Sequence, residues 1–232
     1  MSSHPLILTA AEVRAVLNGT KTQHRVRVKF TRPPPWQIMD ESDDGQPWPF
    51  FQDEFGDYHP MHCPFGVPGD LLWVRETWGL LRGADELITF EGAIPEFEPG
   101  AGQTVLGLVP VPFYRADSEK PQIVSGNGLG KPWHWRPPLS MPRWASRITL
   151  AVESVRVQRL QDISEEDAKA EGARFHDGRG VGHSGWRLDD RDVHADARSA
   201  YGRIWIEKHG RESWSRNDWV FALTFKCTEG ER

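Results

Sequence analysis

Cysteine is nearly absent from this chain: there are two in 232 residues, Cys63 and Cys227. They stand far apart and neither sits in a pair with metal-ligand spacing, which argues against a disulfide framework and against a zinc site. The expectation is a protein with no metal and no organic cofactor. Long apolar runs are missing as well, and no stretch approaches the roughly 20 residues a membrane-spanning helix needs. The opening residues Met1-Ser2-Ser3-His4-Pro5 lack the basic start and apolar core of a signal peptide. A cytoplasmic protein with no membrane partner is expected. Basic charge is not in surplus: 28 Lys and Arg face 33 Asp and Glu, for a formal net charge of -5. No bulk field therefore draws the chain to a phosphate backbone. Also lacking are a glycine-rich phosphate loop and a βαβ alternation, so a doubly wound nucleotide-binding fold is excluded.

Tyrosine is scarce, at three, but tryptophan is not, at eleven. Many of the indoles lie beside Pro, Arg or Glu and not within apolar runs, which suits either the wall of a pocket or plugs that fix loops onto a core. The length permits one elaborated domain spanning residues 1–232, with insertions near 31–66, 80–110 and 175–192.

Local signals divide the chain. Thr9 and Glu12 have capping-box spacing, Val13, Val16 and Leu17 share a helical face, and Asn18-Gly19 offers a left-handed exit. Lys21 to Phe30 then alternates basic and apolar residues and predicts a half-buried strand with a basic polar face. Residues 31–68 carry Pro, Gly, Asp and aromatics without a period and predict an irregular excursion. A strand is predicted over Leu71–Trp78, with weaker strand signals at Leu87–Phe90, Val105–Leu108 and Phe113–Asp117, and a turn over Gly126–Gly130. Ile148–Val157 predicts a long strand with a bulge near Glu153. Ser164 followed by Glu165, Glu166 and Asp167 predicts a helix start, and Gly172 its stop. Residues 175–192 predict a loop, 196–209 a helix, and 219–226 a closing strand. Several short strands around few helices point to an α+β barrel-like domain.

Three stretches taken in order carry a resemblance: Gly19-Thr20-Lys21-Thr22-Gln23-His24-Arg25, Pro68-Gly69-Asp70-Leu71-Leu72-Trp73-Val74-Arg75-Glu76-Thr77-Trp78, and Leu160-Gln161-Asp162-Ile163-Ser164-Glu165-Glu166-Asp167-Ala168. This pattern resembles the ASCH domain family, which implies a PUA-like β-barrel with a few flanking short helices and long loop insertions. With Met141-Pro142-Arg143-Trp144-Ala145-Ser146-Arg147 it is similar to the ASCH-like proteins of phages and prophages. The likeness runs through most of the chain outside the three insertions. Some bacterial members are amidohydrolases that remove the acyl group of N4-acetylcytidine with a Lys, a Thr three residues later and a Glu in a later helix. The resemblance implies Lys21 and Glu171 for the first and last of these. The threonine position is occupied by His24.

Amide hydrolysis needs a nucleophile, an acceptor for its proton and a partner for the tetrahedral oxyanion. The candidate catalytic residues are Lys21, Glu171, His24 and Thr22, with either the Thr22 hydroxyl or a water held by His24 as nucleophile. Arg25, Arg75, Glu76, Trp78, Arg143 and Trp144 are candidates to hold the base, indole by stacking and Arg or Glu at its hydrogen-bonding edge. The expected partner is a small acylated nucleoside. Because other ASCH proteins bind or cut RNA, the alternative is an RNA-binding or RNA-cleaving module docking through Arg25, Arg27 and Lys29.

Overall fold

The structure is a computed structural model, and it describes residues 1–29, 37–39, 50–52, 55–81, 86–89, 111–117, 122–125, 134–178, 183–188 and 192–228. The fold is mixed α+β. Strand β1 (Ser3–Ile7) precedes helix α1 (Ala10–Leu17). The capping box forms: Thr9 N–H donates to Glu12 Oε2 at 2.9 Å and Glu12 N–H to Thr9 Oγ1 at 3.3 Å. The helix exits through Gly19 at φ +71°, a conformation that a Cβ makes costly. Strand β2 (Gln23–Arg27) follows.

The span expected to be irregular instead contains β3 (Gln37–Met39), β4 (Phe50–Gln52) and β5 (Tyr58–Pro60), paired as a three-stranded antiparallel sheet. The strand expected over Leu71–Trp78 is divided at Glu76-Thr77 into β6 (Leu71–Arg75) and β7 (Trp78–Leu81). Then come β8 (Glu86–Thr89), β9 (Val111–Tyr114) and β10 (Gln122–Ser125), with β7 pairing β9 and β8 pairing β10. The expected strand at 105–108 and turn at 126–130 lie outside the described residues.

Strand β11 (Thr149–Arg159) has its register shift between Val152 and Ser154, the bulge expected at Glu153. Helix α2 (Glu165–Ala170) starts at Ser164, whose hydroxyl accepts from Asp167 N–H at 3.0 Å, and stops at Gly172 with φ +107°. The stretch expected to be a loop holds an antiparallel ribbon of β12 (Arg174–His176) and β13 (Gly185–Arg187). Helices α3 (Ala197–His209) and α4 (Arg211–Ser215) and strand β14 (Trp219–Cys227) complete the order.

The chain divides into two compact units, one of Met1–Leu6, Ala15–Trp73 and Ile148–Arg232, the other of Ile7–Arg14 and Val74–Arg147. The first is built on a five-stranded sheet in the order β1-β6-β11-β14-β2. Strand β14 runs between β11 and β2, and Val220, Phe221, Ala222 and Leu223 on it are all buried, as expected for a strand covered on both faces. On one side Val220 joins Leu160, Ile163, Ala168, Tyr201 and Trp205, where α2 and α3 pack. The described pairings define this sheet and its satellite ribbons, and do not by themselves close a barrel. The second unit gathers Trp78, Tyr114, Met141 and Ala145 around β7 and β9. Among the described residues no helix is long and apolar enough to cross a membrane.

Candidate functional site

Register across the sheet builds the site. Arg156 on β11 stands opposite Ala222 on β14, and Ala222 opposite Arg25 on β2. Residues directly opposed share one face of a sheet, so a small alanine separates two arginines aimed at the same side. One step along, Thr224 and Gln23 are opposed on that face, and Gln23 Nε2 lies 3.4 Å from Thr224 Oγ1. The period of two sends the intervening residues to the other face. There His24 falls in a row with Leu223 and Val155, both buried.

The alternation in β2 is thus the reverse of the expected one. Its polar members Gln23 and Arg25 are buried, at 4 % and 3 % exposure, whereas Arg27 is exposed. Burying them is possible because the N-terminal turn of α2 supplies carboxylate: Arg25 Nη2 is 2.7 Å from Asp167 Oδ2, Gln23 Nε2 donates to Asp167 Oδ1 at 3.0 Å, and Arg156 Nη2 donates to the same oxygen at 3.0 Å. Gln23 Oε1 accepts from Arg25 Nη1. The Tyr201 ring on α3 faces the Arg25 guanidinium at 5.8 Å, a cation–π contact.

Just ahead of β2, Lys21 pairs with Glu171 across an isolated antiparallel bridge. Thr22 N–H donates to Ala170 O at 2.8 Å and Phe225 N–H to Thr22 O at 2.9 Å, fixing the segment between the end of α2 and β14. Gly172 suits this turn because its φ of +107° strains any side-chain-bearing residue, although a Cβ there would make only ordinary contacts, 3.4 Å from Ala15 Cβ and 3.6 Å from Lys21 Cβ. Lys21 Nζ reaches Glu171 Oε2 at 2.6 Å and the Glu171 carbonyl at 3.1 Å, while Arg25 Nη1 takes Glu171 Oε1 at 3.1 Å. Lys21 is 2 % and Glu171 3 % exposed. Each carboxylate oxygen of Glu171 therefore has its own cation, the condition under which a buried charge persists.

Asp167 reports the balance of this cluster. Burial pushes its carboxyl up, but the Gln23 hydrogen bond and the charges of Arg25 and Arg156 outweigh that and hold it below its ordinary value. Chemically the arrangement offers an ammonium and a carboxylate in direct contact, shielded from water, with a guanidinium fixing the carboxylate from its other side.

Of the expected catalytic residues, the structure brings Lys21 and Glu171 together and adds Arg25 to them. His24 lies on the face of β2 opposite Gln23 and Arg25, and Thr22, just ahead of the strand, is exposed. Arg25 is engaged by two carboxylates, Asp167 and Glu171; of the basic strand expected to dock RNA, Arg27 and Lys29 are exposed and Arg25 is buried.

Arg75, Glu76, Trp78, Arg143 and Trp144 fall outside this cluster, in the second unit. Arg75 is half-buried and Arg143 exposed. Glu76, 1 % exposed, is held bidentately by Arg147, with Nε–Oε1 at 3.0 Å and Nη2–Oε2 at 3.2 Å. Burial raises its pKa despite that partner. Arg147 also reaches Asp117 Oδ2 at 2.8 Å and lies 4.0 Å from the Tyr114 ring centre. Trp78 is 2 % exposed, donates from Nε1 to Ser140 Oγ at 3.3 Å and carries Arg136 on its ring at 5.1 Å. Trp144, 58 % exposed, meets Trp78 edge to face at 6.3 Å. Glu76 and Trp78 thus serve as packing here, with their polar edges already engaged.

Gln23, Asp167 and Arg156 were not singled out from the sequence. Their shared signal is weak: an acid three residues after a helix N-cap, and polar residues at alternate positions of a strand. No family model, no curated protein and no solved structure matches this chain. The structure shows a mixed α+β fold with Lys21, Glu171 and Arg25 buried against the half-buried Asp167.

Proposed function

We propose that the chain is an ASCH-type, PUA-like cytoplasmic amidohydrolase that removes the acyl group from N4-acylated cytosine nucleosides. One observation carries this reading: a lysine and a glutamate from sequence-distant segments meet at 2.6 Å with both side chains at most 3 % exposed. A buried ion pair of this kind is a weak contributor to stability, and groups so placed are candidates for proton handling. On this reading water attacks the acyl carbon, Glu171 takes a proton and relays it to the departing N4 amine, and Lys21 stabilises the charge that develops on the acyl oxygen. The acyl C–N bond breaks, giving the free carboxylate and cytidine. Water is assigned as nucleophile because the family's threonine position is His24, which lies on the face of β2 opposite Gln23 and Arg25. Arg25 and Asp167 hold the carboxylate in register.

The test is turnover of N4-acetylcytidine by purified protein in the presence of EDTA, with cytidine release followed by chromatography. Release that survives EDTA and is lost in Lys21→Met and Glu171→Gln is expected. Folded wild-type protein that leaves the substrate intact overturns the assignment.

A further inference from the structure

The ribbon β12–β13 leaves directly from the end of α2, and two arginines oppose each other on it. Arg174 pairs in register with Arg187, so both side chains stand on one face of the ribbon. The other face is taken by Phe175 and Trp186, whose rings meet at 5.7 Å, and by Lys169, 5.1 Å from the Trp186 ring. Like charges directly opposed on a ladder repel. The exposures are also unequal: Arg174 is exposed, whereas Arg187 is 7 % exposed. Within that burial Arg187 Nε and Nη2 find no hydrogen-bond partner among the described residues.

A buried guanidinium with two of its donor nitrogens unsatisfied is a costly arrangement, since those donors lose their hydration without a hydrogen bond in return. An oxyanion with several acceptor oxygens would satisfy the buried Arg187 donors while meeting the exposed Arg174 on the same face, and the planar fork of arginine matches phosphate in particular. Arg174 follows Glu171 by three residues, so their Cα atoms are at most about 11 Å apart. The backbone of Arg174 thus lies close to that of Glu171, and Arg187 is its cross-strand partner.

We propose that the Arg174–Arg187 face of the β12–β13 ribbon binds the phosphate of a small nucleotide, so that a cytosine nucleotide is bound in preference to the free nucleoside. The cytosine base rests on the amidohydrolase reading; the phosphate site rests on the ribbon alone.

The test is calorimetric titration of the full chain with inorganic phosphate, cytidine and cytidine 5′-monophosphate, none of which can be deacylated. Cytidine 5′-monophosphate is expected to bind at least about tenfold tighter than cytidine. Arg187→Gln should abolish that preference, Arg187→Lys should keep part of it, and Arg174→Gln should weaken it less. Equal affinity for the nucleotide and the nucleoside, or a preference unchanged in Arg187→Gln, overturns the proposal. Should Arg187→Gln fail to fold, the exposed Arg174→Gln variant and thermal stabilisation of the wild type by phosphate over chloride decide; absence of both effects also overturns it. A single-stranded RNA oligonucleotide that binds more tightly than the mononucleotide, in an Arg187-dependent way, overturns the mononucleotide assignment. Arg187-dependent phosphate binding by a protein that leaves both N4-acetylcytidine and its 5′-monophosphate intact supports this site and counts against the hydrolase. Turnover of N4-acetylcytidine without Arg187-dependent phosphate binding does the reverse.

Discussion

Two buried carboxylates in this molecule meet their cations on opposite terms. In the first unit three cations, Lys21, Arg25 and Arg156, face the two carboxylates Glu171 and Asp167. In the second, the single guanidinium of Arg147 is shared by Glu76 and Asp117. The titration directions differ as well: the Gln23 hydrogen bond and the charges of Arg25 and Arg156 hold Asp167 low, whereas burial pushes Glu76 up despite Arg147. At Asp167 the hydrogen bond and the two guanidinium charges outweigh burial and favour the carboxylate. At Glu76 burial wins over attraction and the carboxyl leans toward its neutral form. In the first cluster each oxygen of Glu171 has a different cation, Lys21 on one and Arg25 on the other, whereas both oxygens of Glu76 rest on Arg147.

The largest expected effect comes from removing the shared acid. Glu171→Gln leaves Lys21 without its carboxylate and Arg25 with Asp167 alone, in a site closed to water. Breaking a buried pair from one side costs about 3–5 kcal/mol, which for a chain of this length lowers Tm by roughly 6–20 °C. Glu76→Gln should cost only about 1 kcal/mol, because Arg147 keeps Asp117 and its side chain is 28 % exposed. Thermal denaturation of the two variants side by side checks this; equal losses would erase the distinction between the clusters.

Next is Lys21→Met. Glu171 keeps Arg25 on its other oxygen, so the stability loss is smaller, about 1–3 kcal/mol. If the pair handles protons as proposed, the loss of turnover is out of proportion, about 10²–10⁴-fold. Urea unfolding and cytidine release measured on one preparation separate the two, and parallel small losses would make Lys21 a structural lysine only.

The third effect is a difference of sign in pH dependence. Asp167 has a folded pKa below its ordinary 3.8, so its contribution to stability is full above 3.8 and is lost as the pH falls below it. Glu76 has a folded pKa above its ordinary 4.5, so its contribution is full below 4.5 and is lost as the pH rises through the higher folded value. Between pH 6 and 3 the stability advantage of wild type over Asp167→Asn should shrink, and that over Glu76→Gln should grow. Urea midpoints across that range read both, and trends in the same direction would contradict the opposed shifts.

Much of the frame around the site is written in local chemistry. Thr9 with Glu12, Ser164 with Asp167, Gly19 and Gly172 each act within one turn of chain, so their spacing alone announces where α1 and α2 start and stop. The Lys21–Glu171 meeting is different. The residues are 150 apart, and only the family resemblance joined them in advance. The partnership of Arg25 with Glu171 and Asp167 was illegible for a physical reason: an alternating basic and apolar strand reads as polar-out, and only a helix bringing two acids to that face inverts it. The β12–β13 ribbon was hidden similarly. Its strands have three residues each, and Arg174, Arg187 and the surrounding glycines carry none of the β-branched signal that marks β14.

The smallest effect sharpens the comparison most finely. Arg156 lies at the rim of the first cluster, 45 % exposed, with Nη2 at 3.0 Å and 3.1 Å from the two Asp167 oxygens. An exposed pair is worth about 0–1 kcal/mol and is screened by salt, so Arg156→Gln should scarcely move the urea midpoint. It should nevertheless raise the Asp167 pKa, because Arg156 is one of the charges that holds it down. After the substitution Arg25 and Gln23 still grip Asp167 from the buried side, so the carboxyl should move toward its ordinary value without passing it. Carboxyl carbon shifts followed by NMR in wild type and Arg156→Gln, at low and high salt, give the outcome. A carboxyl that does not respond would mean that the buried partners alone set its charge, and that Arg156 at the rim has no part in it.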